Sequence, residues 1–267
     1  MRITGLTKIM FILAHPVDHI VGSDVLNRAF ERDGINVAVS PLSVTPDDLE
    51  TAIGTIRRLG NVAGSGVTIP HKTIVAPHLD AGTPEAEAIG AVNFVRRDAD
   101  GRLTGHNIDG AGFVAGLREH GVETKGMRVL QAGAGGVGKA IAHALAAEGV
   151  ASIDLVNRDA VRAGHLATAL RARFPKVEIA VHSNWLAVPD AVHDLIVNAT
   201  ALGMHPNDAL PVPERLLSPQ GVVAEVVMRP AVTPLLELAA SKGCCTVPGT
   251  AMMEPQPALV ARFLNLA

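Results

Sequence analysis

Cysteine is nearly absent from this chain: there are two among 267 residues, and those two, Cys244 and Cys245, are adjacent. Neighbouring strand positions point to opposite faces, so no structural disulfide between them is expected. With neither spacing residues nor a nearby histidine, they do not resemble a metal-ligand pair. A reducing, cytoplasmic setting is the expectation. Basic runs are missing too, and with a formal net charge of -3 neither nucleic acid nor an anionic membrane is an expected partner. No apolar stretch of about 20 residues is present to span a bilayer. The run at residues 9–14 follows Lys8 as a signal segment would, but it is short and ends in His15 and Pro16 rather than at a small-residue cleavage site. Nor is there an internal repeat, a low-complexity tract or a linker, so the domains are expected to join through ordered helices.

What the chain does contain is apolar. Hydrophobic residues make up 48% and charged ones 18%, a globular composition in a length that suits one large domain or two ordinary ones.

The most informative stretch is residues 128–140, RVLQAGAGGVGKA, a short apolar strand running into a glycine-rich turn and a helix. Gly133, Gly135 and Gly138 form a G-x-G-x-x-G pattern. In a β-α unit the first glycine permits a tight turn, the second lets backbone approach a pyrophosphate, and the third lets helix pack on strand. The helix it opens, residues 136–148, presents free N–H groups and its positive dipole end to phosphates. Such a pattern alone is weak, but a second strand at residues 152–156 ends roughly 20 residues past the last glycine, as a dinucleotide fingerprint requires. At that strand's end an NAD site usually carries Asp or Glu. Here stand Asn157 and Arg158, with Arg162 a helical turn on, a set that suits the 2′-phosphate of NADP. Asp159 opposes this by charge, unless it serves as the N-cap of the helix at residues 160–171. NADP is favoured over NAD.

Around this unit, strand and helix alternate. Strands are predicted at residues 8–14, 36–41, 62–68, 91–97 and 103–107, and helices at 24–32, from Thr45 to Gly60, and from Thr83. Residues 98–101, DADG, read as a hairpin turn. A helix from Asp109 to His120 leads into the glycine-rich unit. Further strands are predicted at 177–181, 194–198, 222–226 and 244–247, with helices at 235–242 and 251–264, the last burying Met252, Leu259 and Phe263. Residues 1–108 form an α/β domain of their own.

Two segments end a strand and begin a helix with polar side chains: residues 67–72, VTIPHK, and 105–110, GHNIDG. Hydride transfer at a carbinol needs a group that exchanges the hydroxyl proton, which a lysine of lowered pKa oriented by a carboxylate can do. Lys72 and Asp109 are the candidates. Taken singly, each also reads as an ordinary residue, a solvated helix lysine and an N-cap.

These segments resemble the shikimate/quinate dehydrogenase family over nearly the whole chain. VTIPHK is similar to its catalytic-lysine segment, while GAVN at residues 90–93 and NIDG at 107–110 resemble its substrate-asparagine and catalytic-aspartate segments. GAGG, Asn157-Arg158, Asn198-Ala199-Thr200 and TPLL at 233–236 follow in the family's order, and Gln256 matches its C-terminal glutamine. The resemblance implies an N-terminal α/β substrate domain (1–108, with 249–267 returning to it) and a Rossmann NAD(P)-binding domain (109–248). It implies Lys72 and Asp109 as the proton-exchange pair and Thr68, Asn93 and Gln256 as substrate contacts. Gly133, Gly135, Gly136, Val137, Gly138, Asn157, Arg158, Arg162, Thr200 and Gly249 are implied as cofactor contacts. A small-molecule substrate and a monomer or homodimer are expected.

The departures bear on substrate. Residues 19–23, HIVGS, stand where the family reads His-Ser-x-Ser-Pro, whose two hydroxyls bind the substrate carboxylate; Ile20 and Gly22 supply neither. Met228 replaces a tyrosine near the same carboxylate, Gly66 an asparagine and Glu225 an aspartate. Each lost hydrogen bond to a charged group is worth roughly 1.5–3 kcal/mol, so shikimate itself is expected to be a poor substrate. The expectation is an NAD(P)-dependent dehydrogenase acting on a small hydroxylated ring that either lacks the carboxylate or is held differently. The rival is a catalytically weak NAD(P)-binding sensor on the same fold, and a third reading is an oxidoreductase of a sugar-like or folate-like substrate.

Overall fold

Two six-stranded sheets organise the chain, in a computed structural model that describes residues 2–18, 20–190 and 193–266. Residues 1–108 and 256–267 form one unit and residues 109–255 the other. In the first, strands β1 (Lys8–Ala14), β2 (Val37–Ser43) and β3 (Val62–Val67) pair in parallel. Next to β3, β5 (Phe94–Arg97) runs antiparallel, followed by β6 (Leu103–His106) and the short β4 (Ala81–Gly82), giving the order β2-β1-β3-β5-β6-β4. The β5–β6 hairpin closes through Asp98–Gly101 as expected: Asp98 N–H donates to Arg102 O, and Gly101 takes the left-handed φ of 87°. Leu13, Leu49, Ile53, Ile56, Val95 and Leu103, each 2% exposed or less, fill one side of this sheet. At residues 45–48 the chain turns before the helix α2 (Leu49–Arg58) begins. Thr45 Oγ1 accepts from Asp48 N–H, and the cap position falls to Asp48 rather than Thr45.

The second unit is an all-parallel sheet, β12-β11-β10-β7-β8-β9. Its strands are β7 (Arg128–Ala132), β8 (Ser152–Val156), β9 (Glu178–His182), β10 (Leu195–Asn198), β11 (Val222–Glu225) and β12 (Cys245–Val247). This is the doubly wound arrangement, with its topological switch where β7 lies beside both β10 and β8. Helices α4 (Asp109–Glu119) and α5 (Gly136–Ala147) approach closely because α4 carries glycine where they meet: a Cβ on Gly110 would stand 2.2 Å from Ala140 O.

The C-terminal segment departs from the expected single helix at 251–264. Residues 249–252 form a short 3-10 turn, and helix α8 (Gln256–Phe263) follows after Pro255. The turn belongs to the second unit, not the first, for a packing reason. Gly249 lies against Val227, whose carbonyl oxygen a Cβ would meet at 2.2 Å, and a Cβ on Gly116 of α4 would meet Ala251 O at 2.4 Å. Met252 is buried in that unit's core, whereas Leu259 and Phe263 pack in the first unit with Met10, Ile12, Phe30 and Ile108. The return to the first unit therefore starts at Gln256 rather than at Gly249. Among the described residues no helix is long and apolar enough to cross a membrane.

Under β8 and β9 lies a polar cluster that the sequence pattern does not reveal. Asp154 accepts from His182 Nε2 at 2.6 Å and from His193 Nε2 at 3.0 Å, and His193 is 2% exposed. The hydrogen bond from His193, and then that from His182, hold the Asp154 carboxyl below its usual range. A carboxylate whose folded pKa is depressed stabilises the fold above its unfolded pKa, and that contribution is lost as pH falls through the folded one. Asp154→Asn is therefore expected to lower the midpoint of thermal unfolding at neutral pH, with the difference from the parent shrinking as the solution is acidified. A difference that stays constant down to strongly acidic pH would contradict this.

Candidate active site

The glycine-rich turn leaves the C-terminal end of β7, where the sheet order reverses. Gly133 adopts φ 103°, a left-handed conformation that a side chain would strain, and a Cβ there would also meet Ala199 O at 2.6 Å. A Cβ on Gly138 would meet Gly133 O at 2.5 Å, so the last glycine serves the close contact of helix and turn. By contrast, a Cβ on Gly135 or Gly136 would have nothing within 4 Å, and both glycines border open space. The N–H groups of Gly136, Val137 and Gly138, in the first turn of α5, have no helical acceptor before them and form an anion-binding end.

That open space is a cleft of about 740 Å³, bordered by Gly133, Gly135, Asn157, Arg158, Arg162 and Thr200. Six of the predicted cofactor residues thus border one cleft, and Gly249, in the same unit, packs against Val227. Asn157 ties the cleft walls together: its Oδ1 accepts from Ala134 N–H at 3.1 Å and its Nδ2 donates to Asp159 O at 2.8 Å. Asp159 is the N-cap of α6 (Ala160–Arg173), accepting from Arg162 N–H at 3.0 Å, and its carboxylate lies 3.8 Å from Arg162 Nε. The carboxylate that would repel a 2′-phosphate is thereby engaged at the helix end. A turn with open glycines, free first-turn N–H groups and two exposed guanidinium groups at the rim fits a dinucleotide carrying a 2′-phosphate.

The Thr200 loop is held from beneath. Thr200 Oγ1 donates to Asn198 Oδ1 at 2.7 Å, and Asn198 Nδ2 donates to both Glu225 oxygens at 3.0 and 2.9 Å. Thr233 Oγ1 donates to the same carboxylate at 2.9 Å. Burial pushes the Glu225 carboxyl up, against the hydrogen bonds from Asn198 and Thr233 that lower it. Gln131 and Trp185 belong to this region and are not among the residues expected from sequence. For Gln131 a signal is present, a polar residue inside an otherwise apolar strand; for Trp185, beyond β9 and bordering the cleft, there is none.

In the first unit, Lys72 sits half-buried in a short turn, His71–Thr73, with its carbonyl accepting from Val92 N–H at 2.8 Å. The turn is anchored by its neighbour. His71 is fully buried, its Nε2 donating to Val44 O at 2.8 Å and its N–H to Thr68 O at 2.7 Å. Asn93 is 4% exposed, and its Oδ1 accepts from Ile108 N–H at 3.0 Å. Gln256, 8% exposed, opens α8, which docks where Phe263 stacks 4.8 Å from His106; burial lowers the His106 pKa. Asp109 opens α4 in the second unit and is buried, as is Gly249, while Met228 is half-buried against that unit's core.

His19 lies outside the described residues, and Ile20, Val21 and Gly22 after it carry no polar side chain. Gly22 opens helix α1 (Gly22–Arg32), two residues before the predicted start. Ile20 packs on the cluster of Met10, Ile12 and Leu26. Ile12 also crowds Gly66, where a Cβ would lie 3.3 Å from its Cγ1 and 3.5 Å from Phe94 Cε1.

A doubly wound sheet whose glycine turn, open helix end and arginine rim converge on one cleft defines a pyridine-nucleotide-dependent oxidoreductase. Residues 12–95 match the family described as the shikimate dehydrogenase substrate binding domain. The chain is 40% identical over 253 residues to shikimate dehydrogenase (NADP(+)) of Rubrobacter xylanophilus, covering 94% of this chain and 88% of that one. Its structure is similar to that of shikimate 5-dehydrogenase from Listeria monocytogenes in complex with shikimate and NAD, with a TM-score of 0.91, 32% identity, and 99% and 94% of the two chains covered. It is also similar to ligand-free 5-ketofructose reductase of Gluconobacter sp. strain CHM43, with a TM-score of 0.88, 31% identity, and 97% and 92% covered. The chain belongs to the shikimate/quinate dehydrogenase family and is an NAD(P)-dependent dehydrogenase of the class acting on CH–OH groups.

Proposed function

We propose that this enzyme interconverts a carbinol and a ketone on a small polyhydroxylated compound that lacks the carboxylate of shikimate, using NADP in preference to NAD. The observation that carries the reading is the apolar character of residues 20–22 and 66 in the first unit. Ile20 packs into the Met10–Ile12–Leu26 cluster and Ile12 fills the space beside Gly66, so no described hydroxyl or amide stands at these positions to receive a carboxylate. The relative named a 5-ketofructose reductase supports it, since ketofructose is a ketone without a carboxylate.

The nicotinamide, when bound, supplies or accepts the hydride. The chain's own part is binding and proton exchange. The turn at 133–138 and Arg158 with Arg162 hold the dinucleotide, Thr68, Asn93 and Gln256 hold substrate hydroxyls, and Lys72 with Asp109 exchanges the hydroxyl proton.

The test compares kcat/KM for 3-dehydroshikimate and for uncharged keto-polyols, 5-ketofructose among them, with NADPH. A keto-polyol should be the better substrate, and a value for 3-dehydroshikimate of about 10⁴ M⁻¹s⁻¹ or more would defeat the reading. The double variant Ile20→Ser/Gly22→Ser should raise turnover of 3-dehydroshikimate about a hundredfold, as expected from two restored hydrogen bonds to a charged group. Position 22 has room for the change: the nearest atom to a Cβ there is Ile12 Cδ1 at 3.6 Å.

A further inference from the structure

We infer that Gln131 is a positioning residue that staples the dinucleotide turn from behind. It sits in β7 with Val197 of β10 on one side and Leu155 of β8 on the other, and it is 0% exposed. A primary amide in such surroundings is costly unless its hydrogen bonds are met. Its Nε2 donates to Gly133 O at 2.8 Å and to Gly138 O at 2.9 Å, which uses both amide hydrogens. Those two carbonyls belong to the first and last glycines of the turn, so one side chain fixes the distance between the point where the chain leaves the strand and the start of α5.

The orientation of the amide follows from the same geometry. Its Oε1 has no partner among the described residues. Flipping the amide would set that oxygen against two carbonyl oxygens, so the donors face the turn. The absent side chain of Gly138 completes the fit, because a Cβ there would stand 3.3 Å from Gln131 Nε2. Gln131 lies behind the turn, and its effect passes through the first-turn N–H groups that receive a pyrophosphate. The inference rests on dinucleotide binding at this turn.

The experiment measures dissociation constants for NADPH and for adenosine 2′-monophosphate, which carries the 2′-phosphate but no pyrophosphate. It uses the parent, Gln131→Met and Gln131→Glu, with thermal unfolding followed in parallel. Loss of two hydrogen bonds in Gln131→Met should weaken NADPH about tenfold, and a carboxylate facing two carbonyls in Gln131→Glu should weaken it more than tenfold. Affinity for adenosine 2′-monophosphate should stay within about twofold of the parent in both variants. Should Gln131→Glu fail to fold, the apolar isostere Gln131→Met decides. Unchanged NADPH affinity in a folded variant, or a parallel loss for both ligands, overturns the inference. A parent that binds neither NADPH nor NADH overturns it together with the dinucleotide reading, a result separable from the others.

Discussion

Lys72→Ala is expected to lower kcat by about 10²- to 10⁴-fold, the range of a general acid–base contribution, while the dissociation constant for NADPH stays at the parent value. The separation follows from the roles proposed for these residues, proton exchange for Lys72 and nucleotide binding for the others. Lys72 belongs to the first unit, and the glycine turn, Arg158 and Arg162 all belong to the second. The turn that carries Lys72 is anchored by His71, which is buried and bonded to Val44, and thermal unfolding of the variant checks that the fold is kept. Lys72→Arg should not rescue activity, since a guanidinium stays protonated and cannot pass a proton. Stopped-flow reduction with saturating NADPH reads the chemical step directly. Retention of more than about a tenth of the parent rate in Lys72→Ala would remove the lysine from the chemistry. A sensor without turnover would instead show no substrate-dependent oxidation of NADPH in the parent.

The second large effect concerns cofactor choice. Arg158→Ala with Arg162→Ala is expected to weaken NADPH about a hundredfold or more and to leave NADH nearly unchanged, because only the former offers a phosphate for charge-assisted, bidentate bonds. Arg158 is exposed at the rim of the cleft, and Arg162 is half engaged with Asp159 at 3.8 Å, so Arg158 should carry the larger share. Asp159 stays in place as the cap of α6, which keeps the loss at the phosphate separate from any loss of the helix. Parallel weakening of NADPH and NADH would show that the arginines shape the cleft rather than select the nucleotide. Raising ionic strength should narrow the parent's preference, since the guanidinium groups lie in solvent.

Much of this architecture is legible in the sequence itself. The strands at 8–14 and 152–156 fall where their apolar patterns place them, and the glycine spacing locates the nucleotide turn because only backbone constraints are involved there. Thr83 and Thr233 are readable as caps by the threonine-proline pair that starts each helix. The departures have a shared cause, which is that a local pattern does not say against what it packs. Residues 251–264 have helical spacing throughout, yet Met252 is buried in one unit and Phe263 packs, half-buried, in the other, and Pro255 divides them. Gln131 reads only as a polar interruption in a strand, because its partners are carbonyls, which every residue has. Asp154 pairs with His182 and His193, 28 and 39 positions away, a juxtaposition that depends on strand order.

The discontinuity of the first unit has a consequence for how the molecule is made. Ile108, Phe94 and Phe30 share one cluster with Val260 and Leu264, which are synthesised only after the whole nucleotide unit. That unit ends at residue 255 and is whole before α8 has been added. During translation the older half of the protein therefore waits, with its apolar flank exposed, for α8 to emerge from the ribosome.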